Sequence, residues 1–261
     1  MQQSLDLSSL RDIDLSGYSD HLLEYVARIE SRLGKSIRFL DLAGHPSPKA
    51  DETHVDVEFC VQHFPAAWVE REQLARSRNP EALLAHEATH IELALVEGYP
   101  LVEPKTEALI PEARRVQLIL RMLTDLVVDE RVATSGFDRS EDFEQAVNIA
   151  VRQEREGKDL LPAYAPPQLR EFFYALDLAG LCLNPYCKSR HKTRLRKAYK
   201  RRHRSAIKRA DEIIGIVKST PKVLEPEGQE LALSQIAAVF NLDNVYIIRT
   251  AADMPSLNHR P

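Results

Sequence analysis

The sequence predicts an α+β fold: a small antiparallel sheet packed on one helix, followed by a mostly helical C-terminal lobe. Three observations carry that prediction. The first third of the chain alternates a helical apolar pattern with strand-like runs. A strong helix start stands at Asn79, Pro80 and Glu81. Beyond residue 110 almost every apolar pattern has the helical period, so strands come before helices rather than between them.

In chain order, Ser19 can cap a helix whose Leu22, Leu23, Val26, Ile29 and Leu33 recur at helical spacing, and Gly34 suits its end. Ser36 to Leu42 reads as a strand. His54 to Phe64 reads as a half-buried strand, because Val55, Val57, Phe59 and Val61 alternate with polar residues. The intervening Gly-, Pro- and Asp-rich segment is a loop, and Ala66 to Glu70 makes a short edge strand after Pro65. The helix begun at Asn79 runs to Glu97 and stops at Gly98. Glu112 to Thr134 follows as a long apolar helix, with further helices near 141–156, 167–183, 189–219 and 227–240. The expected division is a core over residues 1–135 and a helical lobe over 136–261.

Composition narrows the class. With 261 residues, 44% hydrophobic and 28% charged, the chain can bury a sizeable core, so it is neither disordered nor fibrous. The acidic beginning of the sequence lacks the basic, then apolar, pattern of a secretory signal. The most apolar stretch, Leu118 to Val128, is interrupted by Arg121 and Asp125, which argues against a membrane span. Cys60, Cys182 and Cys187 cannot all pair within one chain, so reduced thiols and a cytoplasmic protein are expected.

The segment His86-Glu87-Ala88-Thr89-His90 carries the chemistry. His86 and His90 stand four residues apart within the helix capped by Asn79, so both imidazoles project from one face about a turn apart. That spacing preplaces two metal ligands, and zinc is the metal it suits. Glu87 flanks the same face, where its carboxylate can take a proton from water as general base. A catalytic zinc needs a third protein ligand and an open position. On the long helix, Leu118, Met122, Asp125, Asp129 and Val132 share one stripe, which sets two carboxylates in an apolar face where each needs a partner or a metal. Asp125 is expected to ligate. Asp129 is expected to accept a ring N–H from a ligating histidine.

On these residues the chain resembles the gluzincin branch of the zincin metallopeptidases, in which HExxH on one helix is completed by an acid on a later helix. In that branch an Asp four residues on braces a zinc histidine, and Asp125 and Asp129 match that spacing. The likeness covers roughly the first half of the chain. It departs from the pattern in having Asp where the third ligand is usually Glu, which leaves Glu130 as an alternative ligand. The metzincin pattern is excluded, since Leu93 and Val96 occupy its Gly and third His positions. The resemblance implies zinc-dependent hydrolysis of a peptide or protein substrate. In it Glu87 activates water and passes the proton to the leaving nitrogen, and a strand over Val61 to Val69 aligns the substrate. It also implies an oxyanion-stabilising His or Tyr, for which Tyr164, Tyr174, Tyr199, His191 and His203 are candidates.

Lys188 to Arg209 holds twelve Lys or Arg and no Asp or Glu, leaving the rest of the chain at −16. This run suits a nucleic acid or an acidic partner, or else ion pairs within the chain. A rival reading is therefore a nucleic-acid- or protein-binding protein with a structural or vestigial zinc site. Cys182, Cys187 and His191 have spacings that could take a second metal but lack paired CxxC geometry. Trp68 suits core packing or a substrate platform equally. His45, His54 and His63 have no spacing that recruits them to the metal.

Overall fold

The computed structural model describes residues 10–44, 54–158 and 166–254; Tyr164 and His45 lie outside the described residues. The described residues form two compact units, one reaching to Tyr99 and rejoined from Thr250, the other spanning Pro100–Arg249. The long helix belongs to the second unit. The α+β, mostly helical class holds.

In the first unit the elements are α1 (Asp20–Leu33), β1 (Arg38–Asp41), β2 (His54–Val55), α2 (Val57–Gln62), β3 (Ala66–Val69), α3 (Arg71–Arg76) and α4 (Pro80–Leu95). Both ends of α1 are where local chemistry puts them. The Ser19 side chain accepts from the Leu22 amide, and Gly34 takes the left-handed conformation (φ 65°) that an L side chain resists. The sheet order is β1-β3-β2, with β3 parallel to β1 and antiparallel to β2, so the sheet is mixed rather than wholly antiparallel. α4 packs against α1 and against β2 and β3. Trp68 is fully buried with Leu40, Phe59 and Ala66, which makes it core and not a platform.

Two expectations fail here for stated reasons. Most of the strand expected over His54 to Phe64 is helix, because the Asp56 side chain accepts from the Phe59 amide at 2.9 Å and starts a turn that buries Phe59 and Cys60 side by side. A capping bond and adjacent burial outweighed the two-residue alternation. In turn β3 is the central strand among the described residues, paired with β1 along its length and with β2 at Ala67 and Trp68, so it is not the edge strand expected to align a substrate.

The second unit contains β4 (Leu101–Pro104), α5 (Ile110–Thr134), α6 (Ser140–Arg155), α7 (Pro167–Leu183), α8 (Ser189–Tyr199), α9 (Arg204–Ser219), α10 (Pro226–Val239) and β5 (Tyr246–Arg249). The single helix expected over 189–219 is two, separated at 200–203. β4 and β5 pair antiparallel although about 140 residues separate them, a long-range pairing that no local pattern signals. α7 packs along α9, α10 on α5 and α6 on α8. A single core runs through these helices and includes Ile119, Leu123, Phe172, Leu178 and Ile213. α5 and α7 come close at Gly180, where a Cβ would meet Met122 Cγ at 3.3 Å.

Candidate metal centre

The start of α4 sets the candidate centre. Asn79 accepts from the Ala82 amide at 3.1 Å and Pro80 occupies the first turn, so the helix begins where the capping residues stand. Seven residues on, the helical period brings His86 and His90 onto one stripe. Their Nε2 atoms lie 3.1 Å apart, with the ring planes inclined at 72°. Two imidazole nitrogens on one tetrahedral zinc, each at about 2.0–2.1 Å, stand about 3.3 Å apart. The observed pair already has nearly that spacing. It equally suits one proton shared between a donating and an accepting ring, so a metal could take the place of that proton with little movement of either side chain. His86 and Glu87 are buried, and His90 is half-buried.

A second face of α4 holds the helix in place. The Thr89 hydroxyl donates to the Ala85 carbonyl at 2.7 Å, so the Tyr25 hydroxyl, 2.7 Å away, is the donor to Thr89. Glu92, 1% exposed, pairs with Arg32, which also reaches Glu97 at 3.0 Å. At the other end the Ser19 amide and hydroxyl donate to the two Glu81 oxygens at 2.8 and 2.6 Å. These bonds between α1 and α4 fix the rotation of α4 and with it the direction of both imidazoles. Sequence reasoning did not assign these residues. The available signal was Thr89 and Glu92, polar residues on a helix that after its first turn is otherwise apolar apart from His86, Glu87 and His90.

In the second unit, Asp125 and Asp129 share a stripe of α5 yet differ in surroundings. Asp129, 1% exposed, accepts from Arg139 Nη1 at 3.0 Å through one oxygen and from Asn184 Nδ2 through the other. Arg139 follows the end of α5 and Asn184 follows α7, so both partners reach Asp129 from outside its own helix. Asp125 is half-buried and lines a pocket of about 340 Å³ with Arg121, Phe143, Phe173 and Asp177. Glu130 is exposed and lies off that stripe. His86, His90 and Asp125 are a group that could hold a metal ion: two imidazoles and a carboxylate suit a divalent first-row cation.

The oxyanion candidates within the described residues are engaged in the second unit's own packing. Tyr199, 1% exposed, donates its hydroxyl to Asp177 Oδ2 at 2.6 Å. His203 stacks on Tyr174 and its Nε2 lies 3.0 Å from Glu154 Oε1. His191 is buried, its Nε2 accepting from Arg190 at 3.0 Å. Burial pushes the Cys182 and Cys187 thiols up, away from the thiolate that metals bind, and among the described residues these cysteines form no metal-holding group with His191.

Much of the basic run is answered within the chain. Arg190 pairs with Glu144, Arg196 with Asp211, Arg202 with Glu154, and Arg209 with Glu171 and Glu212. Lys197, Lys200, Arg201, Arg204 and Lys208 stay exposed around the turn from α8 to α9. No helix among the described residues is long and apolar enough to cross a membrane. No family model matches the chain, and neither a curated protein nor a solved structure matches it.

Proposed function

We propose that the chain is a cytoplasmic zinc-dependent metallopeptidase in which His86, His90 and Asp125 hold the metal and Glu87 is the general base. The observation that carries this reading is the 3.1 Å separation of the His86 and His90 Nε2 atoms on a helix capped by Asn79. Zinc in such a donor set supplies a Lewis acid and lowers the pKa of water toward neutrality. Glu87, next to His86 and buried, takes a proton from the attacking water and returns it to the departing amine nitrogen. Tyr25, Thr89, Arg32 and Glu92 position α4 and do not touch substrate. Asp129 holds Arg139 and Asn184 and so anchors the end of the helix that carries Asp125.

The test is zinc content and peptide cleavage by the purified full chain. Wild type should retain about one zinc, and His86→Ala should lose both zinc and cleavage. Glu87→Gln should retain zinc and lower kcat/KM by about 10²–10⁴-fold. A wild type that fails to hold supplied zinc, or a Glu87→Gln variant as active as wild type, overturns the reading. One observation favours a second reading, in which the chain binds nucleic acid: the exposed Lys197, Lys200, Arg201, Arg204 and Lys208. Salt-sensitive binding of duplex or single-stranded oligonucleotides, lost when these five are replaced by Gln and unaffected by Glu87→Gln, would carry it.

A further inference from the structure

The pocket that Asp125 lines has a second carboxylate whose place in the fold the metal reading does not use. Asp177 sits on α7 between Phe173 and Leu181, four residues from each, so the three share a stripe that faces Leu118 and Met122 of α5, with Phe143 from α6 beside them. The walls are thus mainly apolar and aromatic, and the volume, about 340 Å³, is that of a small-ligand site. Asp177 is fixed in it from behind: the Tyr199 hydroxyl donates to Oδ2 at 2.6 Å, and Tyr199 is itself buried edge-on against Tyr174. Asp129, also at the pocket, is already answered by Arg139 and Asn184.

Among the described residues no cation answers Asp177 in this way. Burial raises its pKa and the Tyr199 hydrogen bond opposes that rise, while Arg121 of α5 lines the same pocket. A neutral apolar group filling the pocket would strip water from a carboxylate and offer nothing in return. An anion would be repelled. A group with an apolar stem and a cationic tip satisfies both the walls and the carboxylate.

We propose that this pocket takes the side chain of a basic residue, Lys or Arg, with its cation on Asp177. As a specificity subsite the pocket rests on the peptidase reading, because Asp125 is then shared between the pocket wall and the metal. As a cation-binding pocket it does not.

The probes are Nα-acetyl-arginine methylamide, Nα-acetyl-lysine methylamide and the uncharged Nα-acetyl-norleucine methylamide. Their binding to the full chain is measured by calorimetry with and without supplied zinc. The basic amides should bind wild type about tenfold or more tightly than the norleucine amide. Asp177→Asn, which keeps an acceptor for Tyr199, should erase that advantage without weakening the norleucine amide. A norleucine amide bound as tightly as the basic ones overturns the proposal with no variant needed. So does a basic preference that survives Asp177→Asn. If the preference holds while zinc is not retained, the pocket stands and the peptidase reading falls. If zinc-dependent cleavage holds and shows no preference for Lys or Arg, the pocket proposal falls alone.

Discussion

α4 and α5 each carry two potential ligands four residues apart, and the two pairs have different fates. On α4 the like partners face each other: His86 and His90 bring their Nε2 atoms to 3.1 Å. On α5 the two carboxylates part company, since Asp129 is enclosed by Arg139 and Asn184 while Asp125 borders a pocket. Identical spacing therefore gives a common face and nothing more. What surrounds each side chain decides whether it is a donor to a metal or a strut in the fold.

Replacing the two aspartates separately is the sharpest way to test that contrast. Asp125→Ala should abolish zinc retention, at least about 100-fold in affinity on the proposed reading, and leave the unfolding midpoint of the zinc-free protein near that of wild type. Asp129→Ala strands Arg139, 15% exposed at its side chain, and should lower stability by about 3–5 kcal/mol. Denaturant unfolding and metal titration of both variants check this, and equal effects of the two on zinc-free stability would erase the distinction.

A smaller effect separates Asp177 from both. Burial raises its pKa in the folded protein above the ordinary 3.8, so the folded chain holds a proton that the unfolded chain releases. Asp177 thus costs stability increasingly as pH rises from about 4 toward its folded pKa, and no further beyond it. Asp177→Asn should match wild type at acid pH and gain on it as pH climbs to 7, read from thermal midpoints across that range. A difference that does not vary with pH would contradict the burial argument.

The smallest expected change is at the start of α1. Ser19→Ala removes the cap on Leu22 and the hydroxyl bond to Glu81, and should cost about 0.5–2 kcal/mol, with a small drop in thermal midpoint and no change in zinc content.

Where a fold feature depended on neighbours in sequence, it was legible. The caps at Ser19 and Asn79, the end at Gly34, the α4 stripe and most of the later helices follow from short-range chemistry. The readings that failed had a competing partner farther off or a stronger local signal. Asp56 turned an apparent strand into α2, and β1 claimed the open edge expected of β3. Of the candidate site, the group that could hold a metal was legible as residue types and spacing: His86, His90 and Asp125. Its supports were not, because Tyr25 and Arg32 on α1, Arg139 after α5 and Asn184 after α7 meet their partners only through folding.

By itself the amino-acid sequence determined the helix that presents two imidazoles on one face, since a cap and a 3.6-residue period act within a few residues. Only the tertiary structure decided that Asp129 is enclosed, that Glu130 faces solvent and that Asp177 lines an apolar pocket. Burial and ion pairing depend on which remote segments arrive beside a side chain, and no local pattern encodes that.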